Sequence, residues 1–141
     1  MTTLADFVGV PFADHGRTRE GADCWGLVRA ALKECAGIEM PDYGQGYADV
    51  ADHDRIGLLI RDGVMQGWER VSEPRRFDVV IFHIGETHWH VGLMLNRVRF
   101  LHCPEWVTLP DGTKTAGTSR TERIDDRLWH RRVEGVYRYV G

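Results

Sequence analysis

The order of two hydrophobic patterns along the chain most strongly limits its fold. Apolar residues recur at helical spacing near the start of the 141 residues, whereas from Phe77 onward the chain consists of β-rich runs, DVVIFHIG, HVGLML and VRFLHC, separated by short polar breaks. Helices followed by a meander of strands indicate an α+β fold in which the first helix packs on an antiparallel sheet. Because the chain is short and contains no repeat or linker, we predict one domain over residues 1–141.

The first long helix is predicted to run from Cys24 to Ala36. Asp23 can accept hydrogen bonds from the first unpaired backbone N–H groups, and Gly37 is suited to end the helix. The apolar positions at helical spacing are Leu27, Val28, Ala31, Leu32 and Cys35. Cys24 lies on the same stripe, so its thiol is expected to face whatever this helix packs against.

The remaining elements are predicted from shorter patterns. A second helix is expected from about Ala51 to Met65. Residues 106–120 form either a long polar loop or an extra hairpin that turns at Asp111–Gly112. The runs RTERI and RVEGVYRYV are expected to be the final strands.

Composition excludes several classes of function. A net charge of −3 and a pI of about 6.1 argue against a nucleic-acid partner, which needs clustered Lys and Arg. No apolar run approaches the ~18 residues that span a bilayer, so no membrane insertion is expected. The first residues lack the basic and apolar regions of a signal peptide, and three cysteines without framework spacing predict no disulfide scaffold. We therefore expect synthesis in the cytoplasm without a signal peptide.

Cys24 is a candidate nucleophile because the positive end of a helix favours a thiolate. The competing interpretation is that Cys24 is a core residue, as free cysteines often are. A nucleophile needs a base, and His90 opens the strand HVGLML, where Gly92 is expected to leave room for the start of the helix. His102 ends the next strand and is the candidate for orienting that base.

The two histidines meet only in one strand register. A two-residue turn at Asn96–Arg97 pairs Leu95 with Val98 and turns His102 away from His90. A three-residue loop pairs Met94 with Val98 and places His90 directly opposite His102, with Cys24 above both. The catalytic hypothesis requires the second register or a bulge equivalent to it.

A zinc site is the main chemical alternative. Its candidate donors are His83, His88, His90, His102 and Cys103. No CxxC pair or HExxH sequence occurs, so these loosely spaced donors are weak evidence, and we predict neither a metal nor a cofactor. The simplest interpretation is that these histidines are surface or core residues that bind no metal.

The segments GADCWGLVRAALKE, FDVVIFHIGETHWHVGLML and FLHC resemble the NlpC/P60 superfamily of papain-like cysteine peptidases, most closely its short branch found in phage tails and gene transfer agents. The resemblance implies a half-papain-like fold, with N-terminal helices packed on an antiparallel sheet of five or six strands. It also implies a Cys–His–His site with Cys24 as nucleophile, His90 as base and His102 as the third residue. The family typically cuts peptide stems of peptidoglycan, often at the D-γ-glutamyl–diaminopimelate bond, and needs no cofactor.

The expected substrate contacts involve residues beside the predicted nucleophile and base. Asp23 is favoured as a helix cap, with recognition of a stem-peptide amine as its second possible role. Trp25, which replaces the serine usual in the family, Trp89 and Trp106 are expected to wall a groove, and Trp89 beside His90 is the favoured one. Phe12 and His15 are the nearest candidates where many members place a tyrosine, and a phenyl ring cannot donate a hydrogen bond.

Two functions follow. The first is a cysteine endopeptidase that cleaves peptidoglycan stem peptides at the periplasmic cell wall, carried there by a tail-like particle. The second is a structural protein of a tail tip or baseplate that keeps the hydrolase fold with little or no activity, with residues 106–120 as the segment that contacts partner subunits. Acyl transfer through the same thioester is a third option, for which no amine acceptor is identified.

Overall fold

The computed structural model describes residues 2–40, 61, 67–84 and 88–141. The helix predicted from about Ala51 to Met65 lies outside the described residues except at Arg61. In the described part of the chain, no helix is both long enough and apolar enough to cross a bilayer.

The described elements are three helical segments and ten strands. The helical segments are a short 3-10 helix at Leu4–Phe7, α1 at Cys24–Ala36 and α2 at Arg127–His130. The strands are β1 Arg17–Thr18, β2 Gly21–Ala22, β3 Trp68–Val71, β4 Val79–Ile84, β5 His88–Met94, β6 Arg99–His102, β7 Trp106–Thr108, β8 Lys114–Ala116, β9 Arg120–Arg123 and β10 Val133–Tyr139.

Six strands form one antiparallel sheet in the order β3-β10-β4-β5-β6-β9. This confirms the α+β fold and the predicted sheet of five or six strands. Of the two structures considered for residues 106–120, a polar loop or a hairpin, the hairpin is formed. Strand β7 pairs with β8, and Gly112 lies in the turn with φ 87°. The hairpin separates β6 from its neighbour β9 along the chain.

Helix α1 has the predicted bounds because both of its ends are capped. Asp23 accepts a hydrogen bond from the Gly26 N–H, and Gly37 adopts φ 69° and donates to the carbonyl groups of Leu32 and Lys33. The helix packs on β5 and β6 and forms the larger core with them. Hydrophobic burial on this face holds the start of α1 against the sheet.

The opposite face of the sheet carries a second, smaller core. Its members are Val80, Phe82, Met94, Phe100, Trp129 and Val136. Strand residues alternate between the two faces, so Val91 and Leu93 lie in the larger core, whereas His90 and Met94 point to the smaller one. Helix α2 covers this second face with Trp129.

Candidate active site

Cys24 is the first residue of α1, and only 1% of its surface is exposed. The preceding Asp23 is fully buried, and its Oδ1 accepts from the Gly26 N–H at 2.7 Å and from Arg17 Nη1 at 3.0 Å. The structure thus confirms the cap, which was the favoured role of Asp23. The ion pair with Arg17 was not anticipated from the sequence.

Close packing around Gly26 fixes the first turn of α1. A Cβ atom at Gly26 would lie 1.8 Å from the carbonyl oxygen of Gly16, which is an impossible contact. Only glycine therefore lets the segment before β1 lie against the helix start. The contact holds the turn that carries Cys24 in one position relative to its neighbours.

His90 and His102 lie on the same face of the sheet and are hydrogen-bonded. His90 Nε2 lies 2.8 Å from His102 Nδ1, and the ring planes are inclined by 80°. Both side chains are buried, so this contact is sheltered from water. Nε2 of His90 is thus the ring nitrogen directed at His102, and Nδ1 lies on the other side of the imidazole.

The register that brings the histidines together differs from both predicted ones. Strand β5 pairs with β6 through Leu93–Leu101 and Met94–Phe100, which places His102 opposite Gly92 rather than opposite His90. The expectation of direct opposition is therefore wrong, and the imidazoles meet diagonally. The observed register differs by two residues from the one that sets His90 opposite His102. A shift by an even number leaves every side chain on the same face, so the two imidazoles can still meet.

Asn96 explains the shifted register. Its Oδ1 accepts from the backbone N–H groups of Val98 and Arg99, each at 2.8 Å, and closes a four-residue loop between β5 and β6. Asparagine commonly organises a turn in this way. Neither the two-residue turn nor the three-residue loop is formed.

The prediction for Gly92 is also wrong. A Cβ atom there would meet the Phe100 ring at 3.1 Å, the Leu101 carbonyl oxygen at 3.2 Å and Val80 at 3.3 Å. The three nearest neighbours of Gly92 thus belong to β4 and β6, and none of them belongs to α1. By alternation along β5, the imidazoles point towards the smaller core, whereas the first turn of α1 packs in the larger one.

Cys103 connects the start of α1 to the end of β6. Its Sγ lies 3.3 Å from the Ala22 carbonyl oxygen, to which the thiol donates. Ala22 precedes Cys24 by two residues and Cys103 directly follows His102, so the helix start lies at the sheet end that carries both histidines. Burial, followed by the nearby charge of Asp23, raises the pKa of the Cys103 thiol to about 12. Cys103 is therefore a structural thiol and a poor nucleophile.

Glu122 is a site residue that the sequence analysis missed. Its Oε2 lies 2.5 Å from His102 Nε2, so both ring nitrogens of His102 are engaged. Glu122 reaches this position because β9 pairs with β6, which sets Glu122 opposite Phe100. The period-2 pattern of RTERI could have placed Glu122 on one face of a strand, but not beside β6.

Burial and the partners of each group set the ionisation of this pair. Burial lowers the pKa of His102 more than the hydrogen bond and charge of Glu122 raise it, which favours the neutral imidazole. Burial also raises the pKa of Glu122, but the hydrogen bond and charge of His102 and the hydrogen bond from Trp129 outweigh it and lower the pKa overall. Near neutral pH this is a neutral imidazole beside a carboxylate.

Trp129 encloses the histidine pair on the side away from α1. Its ring centroid lies 4.9 Å from that of His102 and 6.5 Å from that of His90. Phe82 and Phe100 complete the aromatic surroundings. Such packing excludes water from the imidazoles and strengthens their hydrogen bonds.

The predicted substrate residues differ in their placement. Trp25 is fully buried in the larger core, which argues against its expected contact with a substrate. Trp89 is partly buried and stacks on His83 with ring centroids 4.2 Å apart, while the Arg61 guanidinium lies 4.8 Å from its centroid. Trp89 therefore remains the better placed of the two.

The described ranges contain no group of three His, Cys, Asp or Glu residues arranged to hold a metal ion. Among the zinc donors considered from the sequence, His102 uses both ring nitrogens in contacts with His90 and Glu122. The thiol of Cys103 is directed at backbone carbonyl oxygens of Val10 and Ala22. These contacts fit a proton relay and a structural thiol rather than a shared ligand set.

Comparison with known proteins connects this geometry to a family. The chain is 28% identical over 102 residues to the murein DD-endopeptidase MepS/murein LD-carboxypeptidase of Escherichia coli K12, and equally to that of E. coli O157:H7. The matched region is 72% of this chain and 46% of each relative, so the chain spans about half the length of the curated relatives it matches.

Two solved structures share the fold. The NlpC/p60 domain of the peptidoglycan hydrolase SagA superposes with a TM-score of 0.57 at 14% identity, covering 94% of this chain and 90% of that domain. An NlpC/P60 family protein from Bacillus cereus ATCC 10987 gives a TM-score of 0.59 at 18% identity over 99% of this chain and 41% of its own. The model of the NlpC/P60 family matches residues 9–138, and the chain therefore belongs to the NlpC/P60 family.

Proposed function

We propose that this protein is a cysteine peptidase that hydrolyses amide bonds in the stem peptides of peptidoglycan. Cys24 is the nucleophile, His90 the base and His102 the residue that orients His90. The observation that carries the proposal is the buried hydrogen bond between the two imidazoles at the sheet end to which Cys103 ties the start of α1. The relatives named as murein enzymes support the substrate class.

The proposed reaction follows from which ring nitrogen each histidine uses. His90 Nδ1 takes the proton of Cys24 Sγ as the sulfur attacks the amide carbonyl carbon. The amide C–N bond then breaks, the leaving amine takes that proton from His90, and a thioester remains on Cys24. Water attacks the thioester with His90 as base, which releases the carboxylic acid and restores the thiol.

Helix α1 contributes electrostatically to both steps. The positive end of its dipole stabilises negative charge on sulfur and on the tetrahedral oxyanion. We assign one oxyanion contact to the backbone N–H of Cys24. The cap by Asp23 and the close packing at Gly26 hold this turn still, which favours a preorganised site.

Trp89 is the proposed substrate contact. It directly precedes His90 in β5, and its ring contacts both His83 and the Arg61 guanidinium. Trp89 packs against the larger core, on the face of the sheet that α1 covers, and a rigid indole there can support the substrate backbone with little loss of entropy. Asp23 is proposed as a substrate contact only through its position before the nucleophile, since its carboxylate already serves α1 and Arg17.

We further propose that the enzyme is carried on a phage-tail or gene-transfer-agent particle and acts at the periplasmic cell wall. The sequence DCWG supports this assignment, since it resembles the tail-associated branch at Trp25. The hairpin β7–β8 is the candidate contact with tail tip or baseplate proteins, because Trp106 is 47% and Leu109 42% exposed there. The same exposed residues favour the second candidate function, a structural tail protein with little activity.

Digestion of purified peptidoglycan tests the enzymatic proposal. The Cys24→Ala and His90→Ala proteins should release no muropeptides, whereas Cys35→Ala, the same substitution at the other end of α1, should match the parent. Mass spectrometry of the products identifies the bond that is cut. Equal release by Cys24→Ala and the parent would refute the catalytic role of Cys24.

A thiol-reactive probe separates the active enzyme from a structural protein. Burial, followed by the charge of Glu34, raises the pKa of Cys35, and burial raises that of Cys103 much further. An activated Cys24 should therefore be labelled first at neutral pH, despite its small exposed surface. Labelling of Cys35 before Cys24 would favour the structural role.

A further inference from the structure

Glu122 ends a chain of polar contacts that begins at His90. The carboxylate contacts His102 Nε2, and His102 Nδ1 contacts His90 Nε2. Glu122 is 24% exposed, whereas both imidazoles are buried, so the chain runs from the protein surface to the base. The two ends of this chain of contacts differ chemically, since it begins at an imidazole and ends at a carboxylate.

An ionised carboxylate can only accept hydrogen bonds. The proton between Glu122 and His102 must therefore be on His102 Nε2. A neutral His102 then has a lone pair on Nδ1 and accepts from His90 Nε2–H. A neutral His90 in turn has its lone pair on Nδ1, the nitrogen that a general base needs. The opposite tautomers would turn the lone pair of His102 Nε2 towards the carboxylate oxygens and would be disfavoured.

We propose that Glu122 is a positioning residue that fixes the tautomers of His102 and His90, so that His90 presents a basic Nδ1 to Cys24. Glu122 acts only through the two imidazoles and does not contact the reacting atoms. The inference rests on the proposed function, in which His90 accepts the thiol proton.

The surroundings of Glu122 hold its carboxylate in this role. The neighbouring Trp129 side chain helps to lower its pKa, and the Trp129 ring packs on His102. Arg120 Nε lies 3.9 Å from Glu122 Oε2, and the Arg132 guanidinium lies 5.0 Å from the Trp129 centroid on α2. Of these two arginines, Arg120 on β9 lowers the pKa of Glu122 and favours its ionised form.

Three variants isolate the role of the charge. Glu122→Gln keeps the shape but offers His102 either a donor or an acceptor, so the tautomer preference is lost. We expect kcat to fall roughly 10- to 100-fold, as for other groups that orient a site residue, with KM unchanged. Glu122→Asp should recover part of kcat, since it restores an acceptor with a shorter reach. Glu69→Gln, the same exchange on the opposite edge strand β3, should match the parent.

Nitrogen NMR of histidine-labelled protein reads the tautomers without any substrate. The parent should show His102 and His90 both protonated on Nε2, and Glu122→Gln should show mixed populations at His102. An unchanged tautomer in Glu122→Gln, or an unchanged kcat while Cys24→Ala is inactive, would overturn the positioning role alone. If Cys24→Ala remains active, the proposed function fails, and the spectra still decide whether Glu122 fixes the tautomers.

Discussion

Removing the Asp23 carboxylate is expected to destabilise the fold by about 3 kcal/mol, which combines two losses. The fully buried Asp23 accepts from the first turn of α1 and pairs with Arg17 at 3.0 Å. Asp23→Ala removes both contacts and leaves the Arg17 charge partly buried. Asp23→Asn keeps an oxygen for the cap and removes only the charge.

The magnitude follows from the surroundings of each partner. Loss of a helix cap typically costs about 1 kcal/mol. Breaking a buried ion pair costs roughly 3–5 kcal/mol, but Arg17 is 14% exposed and also donates to the Gly16 carbonyl, so we expect about 2 kcal/mol here. Asp23→Ala should therefore lower the melting temperature by roughly 10 °C, and Asp23→Asn by somewhat less.

Urea denaturation of a matched set tests this prediction. Asp126→Ala is the control, because Asp126 caps α2 at the exposed surface, and it should cost only about 1 kcal/mol. Adding Arg17→Met to Asp23→Asn should recover part of the loss, since no uncompensated charge remains. If Asp23→Ala costs no more than Asp126→Ala, the account of a buried ion pair at the start of α1 is wrong.

The remaining predictions concern other parts of the framework around the site. Gly26→Ala should destabilise the protein by roughly 3 kcal/mol, because its Cβ would clash with the Gly16 carbonyl, and urea denaturation measures the loss. Asn96→Ala should cost about 1–2 kcal/mol in the same assay through the two loop hydrogen bonds that it removes. Because folding raises the pKa of Cys103 to about 12 from an ordinary value near 9, its protonated thiol stabilises the fold fully below pH 9, and this contribution is lost as the pH rises towards 12. Stability should therefore fall by about 1 kcal/mol more in the parent than in Cys103→Ala between pH 8 and pH 10, and equal losses would contradict the assignment.

Local patterns predicted α1 correctly, and one of the two registers considered placed His90 and His102 on one face. The bounds Cys24–Ala36 depend on a cap, a glycine and the 3.6-residue period, all of which lie within the segment itself. The parity of His90 and His102 depends only on the two-residue period of strands and on an even shift in register. These features are settled by neighbours in sequence.

The parts that the sequence analysis missed depend on contacts between distant segments. The register of β5 and β6 depends on how Asn96 closes the loop, which alternation cannot reveal. Glu122 reaches His102 only because β9 returns to β6 after the hairpin β7–β8. Trp129 covers the imidazoles through α2, which the strand pattern did not indicate. Long-range pairing of this kind requires the assembled sheet.

The central claim is that Cys24 forms a thioester while His90 accepts the thiol proton and donates it to the leaving amine. Acid-quenched intact-protein mass spectrometry during turnover of a peptidoglycan-derived peptide tests it most directly, followed by mapping of the adduct. The account predicts an acyl adduct on Cys24 that is absent in Cys24→Ala. An adduct on Cys103, or continued peptide cleavage by Cys24→Ala, would contradict it.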